Sequence, residues 1–442
     1  MGNGSASFVF RRVLGRDLPA VERGEGAVLW DRSGKRYLDG SGGAVVVNVG
    51  HGRDEVAQAM ARQAAAAGYV HGTQFTSEVL EEYARRLAPH APADCRRLYL
   101  VSGGSEANET AVKLARAYQI AAGAPARHKV IGRSVSYHGN TLATLGVSGR
   151  PLLRAPYAPM LAAPPRAVAP FCYHCPLDRS YPECGVACVE DVEAAILREG
   201  PETVAAYIAE PVLGASAGAA VPPDEYAARA AEICRRYGVV YIDDEVMTGF
   251  GRTGKWFGIE WSGAAPDLVT CGKGMTGGYM PAGAVLASER IVETVARGGG
   301  FVHGFTFSHH PVTAAACLAV LDILEREDLV ERARRLGEAA RSRLAGLRRH
   351  PHVGDVRGRG LMLGVELVAD KESRRPFPRA ERKAEALAAA CFERGLVTYP
   401  SGGAATGTEG DVIMLAPPFV VTEPQIVEMV DVLDRSLEAL AL

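Results

Sequence analysis

The chain has 442 residues, 48% of them hydrophobic, with 49 basic and 51 acidic side chains and a formal net charge of −2 at pH 7. That much apolar material supports a large core and more than one domain. The balanced charge leaves no basic stripe for a nucleic-acid surface, and no run of about 18 or more apolar residues is present to span a membrane.

The N-terminus lacks the long apolar core of a signal peptide. Its Met-Gly start is followed by Ala6, where a myristoylation pattern needs Ser or Thr. Sequons begin at Asn3 and Asn108, and without a secretion signal they carry little weight. Nine cysteines, an odd number, do not point to a secreted disulfide framework. The expectation is a cytoplasmic protein that handles small metabolites, with no nucleic-acid or membrane partner.

In chain order, residues 24–40 (GEGAVLWDRSGKRYLDG) alternate apolar and polar around a Gly turn and predict short strands. Residues 54–67 and 77–88 have helical spacing. From about 95 to 310, strand and helix patterns alternate. RRLYLVS (96–102) reads as a strand and 105–121 as a helix. HKVIGRS (128–134) and VAAYIAEPV (204–212) are strands. A helix at 223–238 precedes VVYIDDE (239–245), and PDLVTCG (266–272) and GAVLAS (283–288) complete the series. The alternation predicts an α/β fold with a mainly parallel, doubly wound sheet. Functional residues in such sheets gather at the C-terminal ends of strands. After about 311, a helical stretch (312–349), a short strand, a helix at 379–394, a Gly-rich loop and a closing strand and helix predict a smaller α+β domain. The expected boundaries are 1–60 for an N-terminal segment packing with the small domain, 61–320 for the large domain and 321–442 for the small domain.

Three motifs carry chemistry. In GGSEAN (103–108), two glycines and a serine join a strand to a helix. Glycine admits close backbone approach, and a helix N-terminus offers free N–H groups to a phosphate. In VVYIDDEVMTGFGRTG (239–254), an apolar strand ends in three acids, which are costly to bury without a partner. The GFGRTG within it has the form G-x-G-x-x-G. An acidic cluster precedes it and no helix opens after it, so it is not a dinucleotide fingerprint. In TCGKGMTGG (270–278), Lys273 sits between glycines directly after a strand, where a lysine can be desolvated and used as a Schiff-base nucleophile. Alone, each motif is also an ordinary turn. Together they fit pyridoxal 5'-phosphate (PLP), which needs a phosphate cradle, a lysine and an acid facing its ring nitrogen.

With these motifs in order, the chain resembles the class III (ω-amino acid type) aminotransferases of PLP fold type I. The resemblance runs from GGAVVVNVGHG (42–52) to GDVIMLAPPFVVT (410–422), and its most specific parts are DEVMTGFGRTG and GKGMTGGYMP. It implies that Lys273 holds the cofactor, Asp244 faces the ring nitrogen and Glu210 is an active-site acid. It further implies that Gly104 and Ser105 cradle the phosphate, that Tyr137 and Val246 cover the two ring faces, and that His138 belongs to the cofactor site. Thr306 is expected to reach the phosphate of the neighbouring subunit, making the protein a homodimer. The implied reaction is a ping-pong exchange between an amine or amino acid donor and a keto or aldehyde acceptor. Epimerase, decarboxylase, aminomutase and phospho-lyase chemistry share the same residues and stay open. A non-catalytic binding protein is the remote alternative.

The sequence also departs from the family pattern. Many members carry an arginine in the loop before the closing strand, which clamps the acceptor carboxylate. Here LVTYPSGGAATGTEGD (396–411) has none, and Tyr399 stands near its place. Small Ala44 and Val45 stand where some relatives carry aromatics, so they and Tyr399 are the candidate substrate residues. These departures point towards specialised metabolism. Finally, Cys172, Cys175, Cys184 and Cys188 form a compact cluster with the look of a structural zinc site.

Overall fold

The computed structural model describes residues 8–13, 15 and 17–442. The Asn3 sequon and the Ala6 position lie outside these residues. Seven strands form the central sheet, in the order Arg97–Val101, Gly283–Ala287, Leu268–Gly272, Val240–Asp244, Val204–Ala209, Lys129–Arg133 and Arg166–Ala167. Strand Gly283–Ala287 runs antiparallel to both neighbours, and the remaining pairs are parallel. Every residue of the strands at 204–209, 240–244, 268–272 and 283–287 is buried. Their near-continuous apolar sequence is what a sheet covered on both faces requires.

Alternate side chains supply the two faces. Ile208, Ile242 and Val285 meet Ala111, Leu114 and Ala115 of helix Gly104–Ala121. Tyr207 and Tyr241 join the core that holds Tyr226, Ala230 and Ile233 of helix Glu225–Tyr237. Packing from both sides fixes the sheet, and with it the positions of the loops at its C-terminal edge.

Two four-stranded sheets complete the fold. One contains Val21–Glu25, Val28–Asp31, Arg36–Asp39 and Leu396–Val397, the last pairing parallel with Arg36–Asp39. Segments near both ends of the chain therefore share one sheet. The other is antiparallel, in the order Val353–Arg359, Met362–Leu367, Asp411–Leu415 and Tyr399–Gly402. Among the described residues, no helix is long and apolar enough to cross a membrane.

The helical pattern at 312–349 is two helices, Pro311–Arg326 and Leu329–Ala345. They are separated at Asp328, whose φ of 48° is left-handed, a conformation that Asp tolerates better than most residues. The helix expected at 379–394 begins at Lys383, after a short 3-10 turn at Arg379–Glu381.

Helix Leu329–Ala345 is seated on the central loops by two glycines. A Cβ on Gly337 would lie 2.1 Å from the Gly360 carbonyl oxygen, and one on Gly360 would lie 2.3 Å from the Thr253 carbonyl carbon. This stack joins the C-terminal helices to the loop that follows Asp244. Gly337→Val is therefore expected to destabilise the protein by about 1–3 kcal/mol through overpacking. The check is the midpoint of chemical denaturation, and an unchanged midpoint would contradict the close approach.

Candidate active site

A cavity of about 450 Å³ opens at the C-terminal ends of the central strands. Lys273 follows strand Leu268–Gly272, Asp244 ends its strand, and Glu210 follows Val204–Ala209. Ser102, Gly104, Ser105, Tyr137, His138 and Val246 complete the wall relevant to the expected chemistry. The sheet thus brings together residues more than 160 positions apart in sequence.

Asp244 is 3% exposed and densely held. Asn108 Nδ2 donates to its Oδ2 at 2.9 Å, and His138 Nδ1 shares a 2.7 Å hydrogen bond with the same oxygen. The Val246 N–H donates to Oδ1 at 3.1 Å. Asn108 is itself fixed, donating to the His138 carbonyl at 2.7 Å and accepting from Thr270 Oγ1 at 2.8 Å. The second of its sequons thus begins at a buried residue that orients the central carboxylate.

The neighbouring acids serve elsewhere. Asp243 is fully buried, and neither oxygen has a hydrogen-bond partner. Burial, with Glu245 next, holds its pKa well above the usual carboxylate range. Glu245 is raised to about 7 by burial, although it accepts from Thr248 and the Ile259 N–H. Both sit away from the cavity lining.

Lys273 has a left-handed φ of 43°, a conformation that costs a side-chain-bearing residue on the order of 1–2 kcal/mol. Asn48 supports the turn, its Nδ2 donating to the Gly274 carbonyl at 2.9 Å. Burial lowers the Lys273 pKa to about 8, with Asp244 opposing the shift and Arg252 adding to it. Arg252 donates to the carbonyls of Leu361, Pro417 and Val47.

The phosphate-type cradle is the start of helix Gly104–Ala121. A Cβ on Gly104 would lie 2.6 Å from Val246 Cγ1, so only glycine fits. Ser105 Oγ accepts from the Asn140 N–H at 3.0 Å. Tyr137 donates its N–H to Glu210 Oε1 at 2.9 Å. Glu210, 7% exposed, also pairs with the buried Arg133 at 2.5 Å. His138 Nε2 is buried without a hydrogen-bond partner, 3.8 Å from Glu210.

Other expected residues lie apart. Thr306 is exposed, and its carbonyl accepts from the Tyr69 hydroxyl at 3.0 Å. Ala44 is exposed, Val45 is 2% exposed within a core cluster, and Val46 is the residue of that run that lines the cavity. Tyr399 packs against the cluster that contains Val45 and Met247. Tyr137, Val246 and Glu210 were legible through motif resemblance. Asn108, Asn48 and Val46 were missed, although Asn108 stands one helical turn after Gly104, a spacing that aims both at one site.

The candidate zinc site is not supported. Cys172, Cys175, Cys184 and Cys188 line one small cavity of about 20 Å³ as free thiols. Among the described residues, no group of three or more His, Cys, Asp or Glu is disposed to hold a metal. Burial raises the Cys172 thiol and pushes Cys188 up to about 11. His174 turns away to Glu366, 2.5 Å distant.

The cavity's groups fit PLP: a helix N-terminus for the phosphate, a buried carboxyl for the ring nitrogen, and a lysine of lowered pKa. Fold and site together define a PLP enzyme of fold type I. The family described as "Aminotransferase class-III" matches residues 15–437. A probable aminotransferase of Mycobacterium tuberculosis, Rv3329, is 42% identical, the match covering 94% of this chain and 88% of that protein. The putrescine–pyruvate aminotransferase of Pseudomonas aeruginosa is 37% identical over 95% of this chain and 91% of its own. Among solved structures, an (S)-enantioselective omega-transaminase from Thermomicrobium roseum has a TM-score of 0.89 and 40% identity, covering 96% of this chain and 92% of that one. An omega transaminase from Pseudomonas jessenii in complex with PMP also has a TM-score of 0.89, at 33% identity and the same coverage. The chain belongs to the class III aminotransferases and is a PLP-dependent transaminase. Its partners in reaction are therefore a small-molecule amino donor and a carbonyl acceptor, and the other PLP chemistries are not favoured.

Two outcomes follow from the geometry. Covalent capture of PLP needs an unprotonated lysine. Capture by cofactor-free protein should therefore rise with pH around a midpoint near 8, read as growth of the visible band; a midpoint near that of an ordinary lysine would contradict the burial argument. Replacing Asn108 with Ala removes one hydrogen bond to a carboxylate, and the dissociation constant for PLP should rise about tenfold, or ~1.5 kcal/mol. Equilibrium dialysis of the variant checks this.

Proposed function

We propose that Lys273 holds the cofactor covalently and, once displaced by the donor, moves the proton at the reacting carbon. The supporting observation is the Lys273–Asp244 pair at the floor of one cavity, with the lysine's pKa lowered to about 8. A group that titrates near working pH is suited to take and return a proton. PLP, when bound, supplies the electron sink and the carbonyl that accepts the amino group. Asp244 faces the ring nitrogen, and Asn108 and His138 keep it aimed there. Gly104 and Ser105 hold the phosphate at the helix N-terminus. Tyr137 and Val246 bound the ring, and Glu210 positions Tyr137 through its backbone N–H.

The donor class is a primary amine or amino acid, and the acceptor is a keto acid or aldehyde. A relative named for putrescine and pyruvate supports the pairing of an amine with a 2-oxo acid. The functional form is a cytoplasmic homodimer, with Thr306 reaching the partner's phosphate site. Its exposure, together with that of Phe75, Val302 and Phe307, supports a covered surface at this place. The absence of arginine from 396–411 supports a role in specialised metabolism.

Absorbance spectra of the holoprotein with a panel of amines, without acceptor, test the reading. At least one donor should bleach the visible band, and adding a 2-oxo acid should restore it. Lys273→Ala should lose turnover while keeping the fold. A visible band that neither a broad amine panel nor an amino acid panel alters would contradict transamination by this site.

A further inference from the structure

The loop at 396–411 contains no arginine, yet two guanidiniums stand against it from other parts of the chain, Arg150 and Arg379, and Arg379 is already paired with Glu385 and Asp411. The His138 N–H donates to Ser148 Oγ at 2.9 Å, and the Gly149 N–H donates to the Ser136 carbonyl at 3.0 Å. Segments 136–138 and 148–150 therefore run side by side. This brings Arg150 next to Tyr137, which lines the cavity. Arg150 Nη2 donates to the Gly402 carbonyl at 3.2 Å. Gly402 ends the strand that begins at Tyr399. Arg150 thus lies between a cavity-lining tyrosine and the strand that carries Tyr399.

Its bonding is incomplete. Arg133 is paired with Glu210, and Arg379 with Glu385. Arg252 is occupied by three backbone carbonyls. Among the described residues, no carboxylate lies within ion-pair distance of Arg150, and its one hydrogen bond uses a single edge of the guanidinium. Arg150 is partly buried, and burial lowers its pKa, opposed by Tyr399 and Tyr137, while the like charges of Arg12 and Arg379 add to the lowering. A partly desolvated cation without a counter-charge is unfavourable. An arriving carboxylate offers the missing acceptor in the planar, two-pronged geometry that arginine suits.

We propose that Arg150 binds the carboxylate of a 2-oxo acid acceptor, performing from the 148–150 segment the task that the 396–411 loop lacks the residue for. The assignment rests on the transaminase reading above. It makes Arg150 the residue that separates 2-oxo acids from neutral carbonyl acceptors, since it contributes nothing specific to an aldehyde without a carboxylate.

The test uses full-length holoprotein, Arg150→Gln and the charge-retaining Arg150→Lys. With one amine donor fixed, KM is measured for pyruvate, 2-oxoglutarate and propanal. In Arg150→Gln, KM for at least one 2-oxo acid used by the wild type should rise about thirtyfold or more. KM for propanal and kcat should stay within about twofold, and Arg150→Lys should recover part of the loss. A readout independent of turnover is titration of the visible band with propionate, whose dissociation constant should rise by a similar factor in Arg150→Gln. Equal losses for 2-oxo acids and propanal would indicate a structural role and overturn the assignment, as would wild-type values for both. If the wild type itself shows no amine-dependent bleaching, the transaminase reading falls as well. Normal bleaching with an unaltered response to 2-oxo acids in Arg150→Gln refutes the Arg150 assignment alone.

Discussion

The site depends on one carboxyl group being held in place where water cannot hold it. Asp244 is buried at the end of a central strand, with Asn108, His138 and the Val246 N–H around it. A buried polar group is tolerable only when its hydrogen bonds are supplied by the protein. Those partners come from the first turns of helix Gly104–Ala121, from the 136–138 segment and from the residue two positions on. Asn108 is in turn fixed by Thr270 of a central strand, and His138 by Ser148. The fold therefore determines where the carboxyl points before any ligand arrives.

The same logic separates three adjacent acids into different roles. Asp243 and Asp244 point to opposite faces, as successive strand residues must. Only Asp244 meets the cavity. Asp243, without partners and with its pKa raised by burial and Glu245, belongs to the packed interior. Lys273 is held on a strained turn supported by Asn48. Local strain retained beside a functional group indicates that the surrounding structure over-determines its position. Lysine and aspartate thus reach the same cavity from neighbouring strand ends.

The sequence made the alternating frame readable because its strands are apolar runs bounded by glycine turns, and the helices at 54–67 and 105–121 match their observed extents closely. It did not disclose that strand Gly283–Ala287 runs antiparallel, since a buried strand has the same pattern in either direction. It also did not disclose the break at Asp328, because the helical periodicity resumes on the far side. Within the site, residues in glycine-rich motifs are visible. The roles of Asn108, although it closes GGSEAN, and of Arg150 are not, because they arise from contacts made across the sheet and between loops. Ala44 and Val45 show the related difficulty. In an irregular loop no periodicity tells which side chain faces inward, and it is Val46 that does. The cysteines are as compact as their spacing suggests, but among the described residues no three His, Cys, Asp or Glu side chains are disposed to hold a metal.

Lys273 is proposed as the residue that carries PLP opposite Asp244. Borohydride reduction of the holoprotein, followed by proteolysis and mass spectrometry, tests it most directly. A single phosphopyridoxyl label is expected on the peptide containing Lys273, and it should be lost in Lys273→Ala. A label on another lysine, or none on a protein that retains its visible band, would contradict it.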